Sequence, residues 1–164
     1  MKKPSEIKRV KAKVNKFLCP RGFDAITLFG IVYLATNRYL RYFNSEYGIM
    51  SSLENHEMIH IRQAYSTKDS WIVFYLLYIW YWIKNLPLLI VNKFAPYKFN
   101  PFEIEAYEHE ADFYYNDETK AEGWKIYTKL TLKEKFNFSK EFYGNNNISF
   151  GKFIRDNIRP TIKG

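Results

Sequence analysis

Thirteen consecutive apolar residues, 71–83 (WIVFYLLYIWYWI), constrain the fold of this chain more than any other feature. Such a run has to be covered over much of its surface, by protein or by lipid. A membrane-spanning helix takes about 20 predominantly apolar residues. Here the run stops at Lys84-Asn85, and the six residues that follow include Pro87, which lacks an N–H and breaks a helix. Segment 70–92 is therefore expected to form a helical hairpin or kinked helix buried in the core. Its several Trp and Tyr residues also suit a headgroup boundary, but a membrane is not an expected partner.

The rest of the chain can supply that core. It has 164 residues, 47% hydrophobic and 20% aromatic, which fits one domain and excludes a disordered chain. A single cysteine, Cys19, excludes an internal disulfide and suits a reducing compartment. The apolar stretch 25–35 follows a long polar start and is interrupted by Thr27 and Gly30, so it does not read as a signal peptide. A cytoplasmic location is expected on that basis.

The net charge of +8 divides unevenly: residues 1–16 carry +6, residues 17–119 carry −4 and residues 120–164 carry +6. Three regions follow: a basic N-terminal arm over 1–16, a domain over 17–118 and a basic C-terminal extension over 119–164. Nucleic-acid binding could then rest only on the ends. With no base-reading motif it would be non-specific.

Within the domain, 25–34 (AITLFGIVYL) predicts one or two short strands bent at Gly30, and 36–48 a loop. Ser51 and Glu54 have capping-box spacing and open a helix over 51–66. Pro96 and Pro101 bracket a loop before an acidic helix over 102–117, which carries six acids and no Lys or Arg. A further helix is expected near 119–142.

The chemistry centres on His56-Glu57-Met58-Ile59-His60. Four residues advance a helix by about 400°, so both imidazoles leave one face and can ligate one Zn²⁺. Glu57 lies about 100° round, where it can take a proton from a zinc-bound water. With three His and twelve Glu in the chain, this pattern arises by accident roughly once in 400 sequences. A catalytic zinc needs a third protein ligand. Gln63 and Ser66 stand where a metzincin has Gly and His, so the ligand comes from elsewhere. The acidic helix is the natural source, because its acids alternate with Ile104, Ala106, Ala111 and Phe113 and some must be buried beside a cation.

HEMIH followed by a helix bearing Glu-x-x-Ala resembles the gluzincin branch of the zincin metallopeptidases. The wider run, HEMIHIRQ, an aromatic hairpin and then NPFEIEAYEHEAD, is similar to small zincin-like proteins across about residues 25–118. The resemblance implies a predominantly helical α+β zincin-like fold with a short sheet, a His-Glu-x-x-His helix and a second, glutamate-bearing helix. It also implies a third ligand from that second helix. Glu103 starts the better match but has Tyr107 where the family has Asp; Glu108 has its Asp at Asp112. The two differ by a net 140° or so on a helix and do not readily share one metal. Glu103 is the expected ligand, with Glu108, Glu105 and His109 as alternatives.

The implied activity is zinc-dependent hydrolysis of a peptide or protein substrate, with Glu57 as the general base. An oxyanion donor would come from Tyr107, His109 or Arg62, and Asp112 or Tyr107 could orient a ligating imidazole. A competing expectation is a structural subunit of a larger assembly, such as a virion, with catalysis lost or incidental. The small domain leaves little chain for a substrate-binding subdomain, and the basic ends are of a kind that hold protein partners.

Overall fold

The computed structural model describes the chain apart from residues 1, 8–9, 20–22, 24, 44–50, 116–121, 146 and 164. The described chain is mostly helical with one small three-stranded sheet. Its α+β class is as expected from sequence. Contacts divide it into two compact units, Met1–Trp71 with Glu110–Ala121, and Ile72–His109 with Glu122–Gly164.

The first unit contains the sheet. Strand β3 (Ile31–Leu34) is central, parallel to β1 (Lys11–Val14) and antiparallel to β2 (Ala25–Leu28). The bend expected at Gly30 is a two-residue hairpin turn. Phe29 (φ 52°) and Gly30 (φ 77°) both adopt the left-handed region that such turns demand. On β3, Val32 and Leu34 face inward and are fully buried.

The N-terminal segment, read from its charge as an arm, contributes β1 in register with β3 from Lys11↔Ile31 to Val14↔Leu34. Val10, Ala12 and Val14 alternate with Lys11 and Lys13, a strand's period of two that the charge reading passed over. Backbone pairing holds it, and its side chains stay largely exposed. Ahead of β1, a turn over Pro4–Glu6 is pinned by Asp69, whose carboxylate accepts from the Ser5 N–H (2.9 Å) and hydroxyl (2.7 Å). The Trp71 indole N–H donates to the Lys2 carbonyl at 2.9 Å.

Helix α1 (Ser52–Ser66) starts where its cap predicts, the Ser51 hydroxyl accepting from the Glu54 N–H at 3.0 Å. It is buried around most of its circumference, and the buried set includes Glu54, Asn55, His56, Glu57, His60 and Gln63. So many buried polar groups on one short helix are what a site requires rather than what a core prefers.

The second unit is helical. Helix α2 (Trp71–Lys84, its first residue in the other unit) ends at the predicted break, followed by a tight turn at Leu86–Ile90 that contains Pro87. Buried Asn85 fixes this break. Its amide N–H₂ donates to the Pro96 carbonyl (3.2 Å), and its oxygen accepts from the Lys135 ammonium (3.0 Å).

Burial of α2 differs from expectation. Phe74 is in the core, whereas Ile72, Leu76, Ile79, Trp80 and Ile83 are exposed. The apolar run is long enough to serve the core with one face and still leave another to the outside. No helix among the described residues is long and apolar enough to cross a membrane.

Helices α3 (Ala95–Lys98) and α4 (Pro101–His109) follow, then α5 (Trp124–Tyr127), α6 (Leu132–Gly144) and a C-terminal helical stretch. That stretch runs through α7 (Phe150–Phe153), a π-wound segment Ile154–Ile158 and α8 (Arg159–Lys163). The core gathers Leu88, Phe99, Ile104, Tyr127, Phe153 and Ile158 among others. The single helix expected near 119–142 is instead α5 and α6, with α6 restarted by a capping box between Thr131 and Glu134.

The acidic helix ends at His109, short of the expected 117. Carbonyls that would extend it are taken elsewhere: the Asn55 amide donates to those of Glu110 (3.1 Å) and Asp112 (3.0 Å). Residues 116–117 of the expected helix lie outside the described residues.

Candidate metal centre

On α1, His56 and His60 stand one turn apart, with ring centroids 4.9 Å apart and planes at 81°. Both are buried. Each ring is held through Nδ1, which directs Nε2 to the opposite side. His56 Nδ1 lies 3.3 Å from Glu110 Oε2, and His60 Nδ1 lies 2.8 Å from Gln63 Oε1. A carboxylate or amide oxygen on the far nitrogen fixes the tautomer that leaves Nε2 basic, the form that ligates metals.

The imidazole partners are thus Glu110 and Gln63. Asp112, one expected orienter, uses its carbonyl for Asn55 and its Oδ1 for the Tyr114 N–H (3.2 Å). The signal for Gln63 is its i+3 spacing from His60, which puts the two on neighbouring turns of one helix face. Glu110 has no comparable signal, because it reaches His56 from 54 residues away.

Glu57, also buried, accepts a hydrogen bond from the Thr27 hydroxyl on β2. The interrupted apolar strand therefore contains Thr27 where a hydroxyl can hold the expected base. Arg62, another expected oxyanion donor, lies on the same helix six residues after His56.

Glu103 sits in the first turn of α4, where the helix dipole favours a carboxylate. Asn100 sets that turn, its side-chain oxygen accepting from the Phe102 N–H (3.2 Å) while its amide donates to the Tyr78 carbonyl (3.0 Å). The buried Glu103 carboxylate accepts from the Tyr78 hydroxyl at 2.7 Å. Burial, reinforced by the Glu103 charge, pushes the Tyr97 hydroxyl well above its ordinary range, so it stays protonated.

Glu108 has a different environment. Its carboxylate accepts from the Tyr127 hydroxyl and from Arg159 (3.2 Å), and the His109 ring lies 3.0 Å away. Desolvation pushes its carboxyl upward, but bonds from His109 and Tyr127 and the charges of His109 and Arg159 outweigh it and hold the group below its usual value. Arg155 adds a bond to the Glu108 carbonyl at 2.9 Å. A carboxylate already compensated in this way joins α4 to the C-terminal helices. His109, an expected alternative ligand or oxyanion donor, is part of the same group. Tyr107 packs on Phe150 (5.4 Å between centroids) and carries the Lys98 ammonium over its ring at 4.9 Å.

Among the described residues, His56, His60 and Glu103 could together hold a metal ion: one ligand atom from each lies within 4.8 Å of the others, and all three residues are buried. Glu105, Glu108 and His109 fall outside that set. Two imidazole nitrogens and one carboxylate oxygen are a donor set suited to zinc, and three protein ligands leave a fourth position open. Searches of protein-family models, curated proteins and solved structures found no match to this chain.

Proposed function

We propose that this protein is a zinc-dependent metallopeptidase or a related amide hydrolase, with His56, His60 and Glu103 as ligands and Glu57 as general base. The observation that carries the reading is the buried His–His–Glu grouping, with Glu57 in the helix position beside His56. A zinc ion bound there would supply a Lewis acid and acidify a water molecule. The chain's own residues do the rest. Glu110 and Gln63 hold the two imidazoles in the ligating tautomer, and the Thr27 hydroxyl orients the Glu57 carboxylate. Glu57 takes the proton of the attacking water and passes it to the departing amine nitrogen, so one carboxylate serves as base and then acid.

Metal analysis of the purified full chain tests the ligand set, and cleavage of a peptide library tests the activity. About one zinc per chain is expected, lost in His60→Ala and in Glu103→Ala. A chain that takes up no zinc, or holds it equally well without those side chains, overturns the ligand set. Zinc bound without cleavage of any peptide or amide overturns the enzymatic reading alone.

A further inference from the structure

Helix α2 and the turn after it present an apolar surface that the core does not use. Ile72, Leu76, Ile79, Trp80 and Ile83 are linked by spacings of three or four residues (72/76/80/83 and 76/79/83) and are 47–66% exposed. They form one stripe about 16 Å long on the outer face of the helix. Past the break, Leu89 and Ile90 are exposed as well, Ile90 by 83%. Scattered exposed apolar residues need no explanation, but a contiguous stripe of large ones marks a surface that meets something.

The charges near the stripe indicate what it meets. From Ser70 to Phe102 the sequence has no Asp or Glu and three lysines, Lys84, Lys93 and Lys98. Lys84 and Lys93 are exposed where the stripe ends, with Lys84 Nζ 5.2 Å over the Trp80 ring and Lys93 Nζ 4.9 Å over Phe94. Aliphatic side chains on one face, Trp at the border and lysines at the rim match the layers of a membrane interface: acyl chains, headgroup boundary and anionic headgroups. A second copy of segment 70–102 would bring the same lysines and no acid of its own to meet them.

We propose that α2 and the Leu86–Ile90 turn form a monotopic membrane-docking surface for anionic lipid, lying in the interface and not crossing it. This inference does not depend on zinc or on hydrolysis.

Flotation of the full chain with vesicles, with and without a zinc chelator, tests it. The protein should float with vesicles of phosphatidylcholine and phosphatidylglycerol, and far less with phosphatidylcholine alone. Ile79→Glu/Ile90→Glu should abolish flotation; both side chains are exposed, so the fold is kept, as a circular dichroism melt would verify. Lys84→Gln/Lys93→Gln should weaken binding to the anionic vesicles by about fivefold per lysine. Three results overturn the proposal: no flotation on anionic vesicles, flotation that Ile79→Glu/Ile90→Glu leaves unchanged, or a dimer in solution that the same pair dissociates, which would assign the face to a second copy.

Discussion

Two glutamates five positions apart on one helix sit in different surroundings. Glu108 has Arg159, Tyr127 and His109 around its carboxylate, whereas the bonds described to Glu103 come from tyrosine hydroxyls. Only the latter belongs to the metal-capable set. Glu103→Gln should therefore abolish zinc retention, while Glu108→Gln should leave zinc content near that of the wild type and lower thermal stability, because Arg159 loses its charge partner. Metal content and melting temperature of the two variants separate the roles, and zinc loss in Glu108→Gln instead would reverse the assignment. Glu57 allows a second test at this scale. Glu57→Gln keeps the size and a hydrogen bond from Thr27 but cannot accept a proton. It should retain zinc and lose hydrolysis by about 10²–10⁴-fold. An active Glu57→Gln enzyme removes the general-base role from this residue.

Element by element, the sequence was readable where a local rule applied and silent where distant residues decided the outcome. The Ser51 cap, the break at Lys84-Asn85 and the strand bend at Gly30 all follow from short-range chemistry, and the structure has each one. The His pair was legible for the same reason, since helix period alone puts two imidazoles on one face. The length of the acidic helix was not legible, because Asn55 captures the Glu110 and Asp112 carbonyls from more than 50 residues away. Strand β1 had a local signal, the alternation of Val10, Ala12 and Val14 with Lys11 and Lys13, but the segment's net charge pointed to an arm instead. The different surroundings of Glu103 and Glu108 come from Arg159, Tyr127 and the tyrosines around Glu103, none of which belongs to the motif. The hairpin itself is open to test. A Cβ added at Gly30 would run into Ile7 Cδ1, in a backbone conformation with φ 77°. Gly30→Ala should cost about 1–2 kcal/mol from the left-handed backbone alone. Adding Ile7→Ala should recover only the part due to the clash. Denaturant melts of the single and double variants measure both parts, and full recovery in the double variant would mean that the backbone conformation is not strained.

Over the whole molecule, net charge proved a poor guide to which charges meet water. The +6 of residues 120–164 reads as a solvated extension. Yet Lys135 from that segment is only 5% exposed, with its ammonium on the Asn85 oxygen that fixes the break after α2. Desolvation, helped by the nearby Lys84 charge, lowers its pKa from 10.5 to about 8. The folded chain therefore gives up this proton at a lower pH than the unfolded chain does. Between about pH 8 and 10.5 the unfolded state binds one more proton than the folded state, so this group makes stability rise with pH across that window. The gain is of the order of 3 kcal/mol at most. Below pH 8 both states are protonated and the dependence from this group vanishes. Lys135→Met removes the titrating group and leaves the Asn85 oxygen without its ammonium donor. The variant should lose the alkaline rise relative to the wild type, whatever its stability at neutral pH. Chemical denaturation at a series of pH values from 7 to 11 measures the difference between the two curves. Parallel curves across that range would show that the Lys135 ammonium is as well solvated in the folded chain as in the unfolded one.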